Sequence, residues 1–211
     1  RRYRKMKSSG TAHQWQQLIS QGKFDQLDFG KIHGRALSLL VRSKFLKNHG
    51  LSEKYTEWVK KPETKTVKYT GFVHELFSEL GANGYHAHYG AKNKPKYANL
   101  IDVPEYMRET INKQFNELIN KAKGSDTPPS SLIVVRDTSG SMGSEASGTN
   151  MTCYSVAKAL ALYFSEFLTG KFDNAWIEFN SSAEMHEWKG QTPIEKWYND
   201  QSGFIGETDF Q

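Results

Sequence analysis

Apolar residues recur at helical spacing through the first 123 residues of the chain. This periodicity predicts short amphipathic helices joined by brief turns. The predicted helices cover residues 11–21, 31–47, 52–60, 69–80 and 104–123. In the helix over 31–47, the residues expected to face the core are Ile32, Ala36, Leu39, Leu40 and Phe45. Paired helices of this kind favour an α-solenoid or a helical bundle, and no internal repeat decides between the two.

After residue 130 the pattern changes to strands alternating with helices. Leu132 to Val135 form an unbroken aliphatic run, typical of a strand buried on both faces of a parallel sheet. An apolar helix is predicted over 152–168, strands over 174–180 and 183–188, and a short helix over 193–198. This order predicts a layered α/β domain. The Gly-, Ser- and Pro-rich residues 124–130 are predicted to be a linker between a helical module, 1–123, and the α/β domain, 131–211.

Composition narrows the class of protein. Hydrophobic residues make up 37% of the 211 residues and aromatic residues 13%, which is enough for a packed core. The single cysteine, Cys153, excludes an intramolecular disulfide and favours a reducing compartment, so we expect a cytoplasmic protein. No apolar run approaches the roughly 18 residues of a membrane span, so no membrane partner is expected.

Charge is distributed unevenly along the chain. Residues 1–70 carry 16 Lys and Arg against 5 Asp and Glu, whereas residues 71–211 carry 12 against 18. The basic front half is a candidate surface for a polyanion, most plausibly a nucleic acid, and the alternative is an ordinary solvated helical surface. The candidate RNA contacts are Arg35, Arg42, Lys44 and Lys47.

Oxygen donors cluster directly after the predicted strand that begins the α/β domain. Asp137, Ser139 and Ser141 fall within five positions. Oxygen ligands suit a hard divalent cation such as Mg²⁺, and open α/β sheets bind ligands at the carboxyl ends of their strands. The alternative is a tight turn that these residues stabilise by local hydrogen bonds.

The pattern Asp137-x-Ser139-x-Ser141, followed by Gly206-Glu207-Thr208, resembles the metal-ion-dependent adhesion site of a von Willebrand factor A domain. The resemblance implies a doubly wound, Rossmann-like fold in which Ser139, Ser141 and Thr208 bind Mg²⁺ or another divalent cation. Asp137 would add a nearby carboxylate, and a partner protein would supply a carboxylate to the metal. A further aspartate is expected beyond the last residue, so we expect the chain to be a fragment holding the first half of such a domain.

Helices followed by such a domain are similar to the Ro autoantigen family. The residues that carry this likeness are Gly22-Lys23-Phe24-Asp25, the stretch from Ala36 to Lys47, and Thr70-Gly71-Phe72-Val73-His74-Glu75-Leu76. The resemblance implies an α plus α/β fold with an N-terminal HEAT-like (TROVE) module, and it implies binding of non-coding RNA by basic helices. The alternative is a component of a larger particle that contacts proteins and no RNA. No Gly-x-Ser-x-Gly motif surrounds Ser139 or Ser141, so we do not expect an enzyme.

Overall fold

The computed structural model describes residues 14–64, 69–81, 95–125 and 132–200. The chain divides into two compact units, Arg1–Tyr69 and Thr70–Gln211. Within the described ranges there are eight α-helices and one three-stranded mixed sheet, which confirms the predicted combination of helices and strands. None of the helices in these ranges is both long and apolar enough to cross a bilayer.

The first unit is built from short helices around a small aromatic core. Its helices are α1 (Gln14–Ser20), α2 (Gly34–Arg42), α3 (Phe45–Asn48) and α4 (Ser52–Lys60). Tyr55 and Val59 of α4 are fully buried. The ring of Phe29 meets the ring of Tyr55 edge-on, with centroids 4.9 Å apart. Burial of these side chains holds the connecting turns against α4.

The helix predicted over 31–47 is two helices, because the chain turns at Ser43. The Ser43 hydroxyl accepts a hydrogen bond from the Phe45 backbone N–H at 3.1 Å, which starts α3 in a new direction. With α2 beginning at Gly34, its buried apolar side chains are those of Leu37 and Val41, four residues apart. Leu39 is 62% exposed, so the prediction that it faces the core is wrong.

The second unit contains the sheet. Its strands are β1 (Val135–Asp137), β2 (Ala175–Phe179) and β3 (Ala183–Glu187), in that spatial order. β1 and β2 are parallel, and β2 and β3 are antiparallel. Ile133 and Val135 are each 58% exposed, so the prediction of a first strand buried on both faces is wrong. β1 lies at the end of the described sheet, where only one of its edges is paired.

Four helices of the second unit accompany the sheet: α5 (Val73–Leu76), α6 (Glu105–Lys123), α7 (Cys153–Ser165) and α8 (Pro193–Asn199). α7 connects β1 to β2 as the crossover that parallel strands require. The predictions for α6, α7, α8, β2 and β3 are confirmed to within a few residues at each end. The helix predicted over 69–80 is shorter, since only four residues are helical there.

α6 packs in the same compact unit as the strands. The ring of Phe115 lies 6.0 Å from the ring of Phe77 and 6.3 Å from that of Tyr163 in α7. The Asn112 side chain accepts a hydrogen bond at 3.2 Å from the backbone N–H of Ile194, at the start of α8. Residues 70–123 therefore group with the sheet, which differs from the division predicted at residues 124–130.

Replacing Phe115 by alanine should destabilise the second unit beyond α6, because its fully buried ring packs against Phe77, which directly follows α5, and against Tyr163 of α7, the helix that connects β1 to β2. We expect a loss of about 3–5 kcal/mol in the free energy of unfolding. Urea denaturation combined with hydrogen exchange of the β2 amides measures it. Ile101→Ala, at a side chain that is 88% exposed, is the matched control and should change stability by less than about 0.5 kcal/mol. Unchanged exchange in β2 of the Phe115 variant would contradict the shared core.

Candidate metal centre

The loop that carries Asp137 begins at the carboxyl end of the parallel strand pair. Asp137 closes β1 and lies opposite Phe179 at the end of β2. The next residue, Thr138, donates its backbone N–H to the carbonyl of Phe179 at 2.9 Å. The side-chain amide of Asn180 donates to Thr138 Oγ1 at 3.0 Å. Thr138 and Asn180 are both buried, so the ends of the two strands together hold the start of the loop.

Within the loop, the oxygen atoms of Asp137, Ser139 and Ser141 are brought together. The Ser139 backbone N–H donates to Asp137 Oδ1 at 2.8 Å, which is the local turn that aspartate favours. The chain then enters a 3₁₀ turn, Gly140–Gly143. This turn places the hydroxyl oxygens of Ser139 and Ser141 3.2 Å apart.

The spacing of the two hydroxyls fits neighbouring positions in an octahedral Mg²⁺ shell. Ligands about 2.1 Å from Mg²⁺ and at right angles lie about 3 Å from each other, and the two serine oxygens are 3.2 Å apart. Among the described residues, Asp137 uses Oδ1 for the turn, which leaves Oδ2 for a cation or for a water bound to it. Ser139 is buried, whereas Ser141 is exposed and Asp137 half-buried, so the donor set opens toward solvent.

The remaining ligand that the resemblance implies is Thr208, which lies outside the described residues together with Gly206 and Glu207. Within the described ranges no three His, Cys, Asp or Glu side chains gather in one place. The donors that the loop brings together are thus one carboxylate and two hydroxyls. Such an all-oxygen set suits a hard cation.

A buried ion cluster, formed by Arg136, Lys158 and Asp200, lies beside this loop. Arg136 Nη1 is 2.8 Å from Asp200 Oδ2, and Lys158 Nζ is 3.2 Å from the same oxygen. The side chains of Arg136 and Lys158 are 0% exposed and that of Asp200 1%. Because successive residues of a strand point to opposite faces, the Arg136 side chain enters the ion cluster while the side chain of Asp137, the last residue of β1, points to the other face.

Aromatic rings enclose the two cations of the ion cluster. The Arg136 guanidinium carbon lies 3.6 Å from the centre of a Trp176 ring, and Lys158 Nζ lies 4.7 Å from the centre of a Trp197 ring. The faces of these rings attract cations. One carboxylate cannot fully compensate two buried positive charges. The aromatic rings therefore provide part of the missing stabilisation.

Burial and charge act together on the protonation of the ion cluster. Burial lowers the pKa of Lys158 to about 8, because it outweighs the attraction of Asp200, and the charge of Arg136 adds to the lowering. For Asp200, burial opposes ionisation, but the charges of Lys158 and Arg136 outweigh it and hold the pKa below its usual value. The Asp200 carboxylate therefore stays ionised, whereas the Lys158 ammonium loses its proton at a lower pH than an exposed lysine does.

Comparisons with protein-family models, with curated proteins and with solved structures find no match for this chain.

The ion cluster is missing from the residues predicted from the sequence, although two signals for it are present. Arg136 interrupts an aliphatic strand, and Lys158 interrupts the apolar helix α7. A charged residue at a position where the pattern requires an apolar one indicates a buried ion pair. Neither signal identifies Asp200, which comes from a segment 42 residues beyond Lys158.

The predicted RNA contacts all belong to the first unit. Arg35, Lys44 and Lys47 are exposed, and Arg42 is half-buried. Arg35 and Arg42 are seven residues apart in α2, which puts them about two turns apart on one side of the helix. Lys44 and Lys47 come within five residues of Arg42, at the junction of α2 and α3.

Stability should depend on pH through Lys158. In the unfolded chain its pKa is 10.5 and in the folded unit about 8, so between these values the unfolded state binds more protons. The free energy of unfolding should then rise with pH from about 8 to 10.5, by at most about 1.4 kcal/mol per pH unit. Urea denaturation at pH 7, 8, 9 and 10 measures the free energy of unfolding of the wild type and of Lys158→Met, a variant that lacks the titrating group. If the two proteins gave parallel pH profiles, the buried ammonium would not be the titrating group.

Proposed function

We propose that the second unit is a binding module in which a divalent cation, Mg²⁺ by preference, links the protein to a partner. The observation that carries the proposal is the pair of hydroxyl oxygens of Ser139 and Ser141, 3.2 Å apart beside the Asp137 carboxylate at the end of β1. With one carboxylate among these ligands, a bound Mg²⁺ stays electrophilic and a carboxylate of a partner protein completes its shell.

The arrangement of elements supports a von Willebrand factor A domain as the fold of residues 131–211. β1, α7 and β2 form a parallel strand–helix–strand unit, and β3 adds an antiparallel edge. The predicted metal loop comes after the first strand, where open α/β sheets bind ligands. In this proposal Ser139, Ser141 and Thr208 are the hydroxyl ligands, and Asp137 supplies the nearby carboxylate.

Binding accounts for the loop better than catalysis does. A serine nucleophile needs a base within hydrogen-bonding distance. Among the described residues, the hydrogen-bonding contact of the Ser139 hydroxyl is the hydroxyl of Ser141, and no histidine contacts either group. His186 is paired instead with Glu178 at 2.8 Å.

Replacing Ser141 by alanine should weaken Mg²⁺ binding at least about tenfold, because it removes a ligand oxygen from an exposed position without disturbing the core. Isothermal titration of the chain with MgCl₂ and with MnCl₂ measures the affinity. Ser144→Ala is the matched control: it is an exposed serine of the same loop whose hydroxyl contacts Cys153 Sγ at 3.6 Å, and it should retain wild-type affinity. Equal affinities for all three proteins would place the cation elsewhere, and no binding by the wild type would refute the proposal.

As a second candidate function, we propose that the first unit binds non-coding RNA, as a HEAT-like (TROVE) module of a Ro-like protein. Arg35, Lys44 and Lys47 present exposed cations in a region where Lys and Arg outnumber Asp and Glu by 16 to 5 over residues 1–70. Contacts between such cations and phosphates supply most of the affinity in RNA complexes of this kind.

A cavity in the first unit also supports contact with RNA bases. It measures about 330 Å³ and is lined by Gln14, Trp15, Leu18, Gln26, Asp28, Lys31 and His33. An indole ring is a stacking partner for an unpaired base, and glutamine amides bond base edges. Lys31 and Asp28 form an ion pair with each other at 3.3 Å. This combination suits a single-stranded segment of RNA.

Reversing three exposed charges, with Arg35→Glu, Lys44→Glu and Lys47→Glu, should weaken RNA binding and reduce its salt dependence. Because log K falls as log salt rises, loss of three phosphate contacts makes this negative slope less steep, by about 2. Fluorescence anisotropy with a labelled stem-loop RNA measures the affinity and its salt dependence. The salt series runs from about 50 to about 300 mM KCl.

The matched control reverses Lys121, Lys171 and Lys189, three exposed lysines of the second unit, so that the net charge changes equally. Its RNA affinity should stay near that of the wild type. Equal losses in both triple variants would show that overall charge alone acts. A pull-down from an extract with the wild-type protein as bait tests the alternative. Recovery of proteins without RNA would favour an assembly component that does not bind RNA.

A further inference from the structure

Phe24, Phe45 and His49 form an aromatic platform on the first unit, where the connector before α2 meets α3. The centre of the Phe24 ring is 5.6 Å from that of Phe45 and 4.1 Å from that of His49. The rings of Phe45 and His49 are 4.6 Å apart. His49 directly follows α3 and is exposed, whereas both phenylalanines are half-buried. None of the three lines the cavity that contains Trp15.

The two phenylalanines leave one face of the His49 ring open. A centroid distance of 4.1 Å and an interplanar angle of 32° place Phe24 over one face of His49, because rings that meet edge to edge are farther apart. A triangle with sides of 4.1, 4.6 and 5.6 Å has nearly a right angle at His49, so Phe45 lies beside the edge of the imidazole. The opposite face of the exposed imidazole is therefore covered by neither phenylalanine.

Exposed cations accompany the aromatic platform. Each of its rings has a lysine one or two positions before it in the chain, namely Lys23, Lys44 and Lys47. All three lysines are exposed, and among the described residues no carboxylate lies within ion-pairing distance of their ammonium groups. Open aromatic faces beside cations are the two features with which proteins bind single-stranded nucleic acids.

A nucleotide uses both features at once, because it joins a flat base to a phosphate. Packing explains why Phe24 and Phe45 are half-buried, but it does not require an aromatic ring at the exposed position of His49. An acidic peptide would pair with the lysines and leave the open imidazole face unused. An unpaired base on that face would continue the stack that Phe24 and His49 begin.

We propose that the open face of His49 is a stacking site for an unpaired base of a single-stranded nucleic acid, whose phosphates lie against Lys23, Lys44 and Lys47. This inference rests on the proposed binding of RNA by the first unit and deepens it. It assigns a contact with the base to a side chain that the charge pattern does not identify.

The test compares the wild-type chain with His49→Ala, His49→Leu and His49→Trp. Fluorescence anisotropy measures their binding of labelled oligo(U), oligo(dT) and a blunt-ended RNA duplex. Loss of stacking should weaken oligo(U) binding at least about fivefold in the alanine and leucine variants. His49→Trp should bind at least as tightly as the wild type, because the uncharged indole also stacks on bases. Duplex binding should stay the same in all four proteins, since the bases of a duplex are already paired and stacked.

The two oligonucleotides distinguish the sources of the base. Weakened binding of both oligo(U) and oligo(dT) in His49→Ala identifies single-stranded nucleic acid in general as the ligand. An effect on oligo(U) alone identifies RNA. Equal affinities of His49→Leu and His49→Trp for oligo(U) overturn the stacking role, because the two side chains differ in aromaticity and share the absence of charge.

His74→Ala is the matched control, because the His74 ring also stacks on a phenylalanine, Phe72, at 5.6 Å but belongs to the second unit. It should keep the wild-type affinity for oligo(U), and an equal loss there would overturn the assignment to His49. Binding of polyglutamate as tight as that of oligo(U) would also overturn it, since the lysines would then bind any polyanion. A wild type that binds stem-loop RNA while its His49 variants bind oligo(U) unchanged overturns only this inference, whereas a wild type that binds neither RNA overturns the proposed RNA binding too.

Discussion

The parallel pairing of β1 with β2 is the constraint on which the rest of the second unit depends. Parallel strands need a crossover, and α7 provides it. The pairing also places Asp137 beside Phe179, so that the chain after β1 and the chain after β2 leave the sheet at the same end. The hydrogen bonds of Thr138 with Phe179 and Asn180 then result from the register, and they fix where the metal loop starts.

Much of the second unit could be predicted from sequence because its pattern is strong and local. Thr152 caps α7 by accepting the Ser155 N–H at 3.2 Å, and Thr192 and Glu195 form a capping box at the start of α8. These residues mark helix starts in the sequence itself. The convergence of Asp137, Ser139 and Ser141 was predictable for the same reason, since all three lie within five positions of one loop.

The burial of individual side chains and the partners of buried charges could not be predicted, because both depend on contacts between distant residues. Leu39 has the right spacing for a core position, but the turn at Ser43 changes which face of α2 is buried. The aliphatic run before Asp137 suggests burial on both faces, whereas the exposure of Ile133 and Val135 depends on which elements cover that face of the sheet. The partner of Arg136 is 64 residues away, a separation that no periodicity encodes.

The ion cluster and the metal loop place opposite electrostatic requirements on the proposed site. When Lys158 is protonated, the ion cluster carries one more positive than negative charge, and its field opposes a divalent cation near Asp137. Asp137 is the carboxylate that the described structure places beside the two hydroxyls, and it offsets that field. A further anionic ligand would therefore strengthen cation binding more than another hydroxyl. For the proposed function, this balance favours joint binding of the metal and an acidic partner, because the cation attracts the partner's carboxylate and that carboxylate offsets the positive field of the ion cluster.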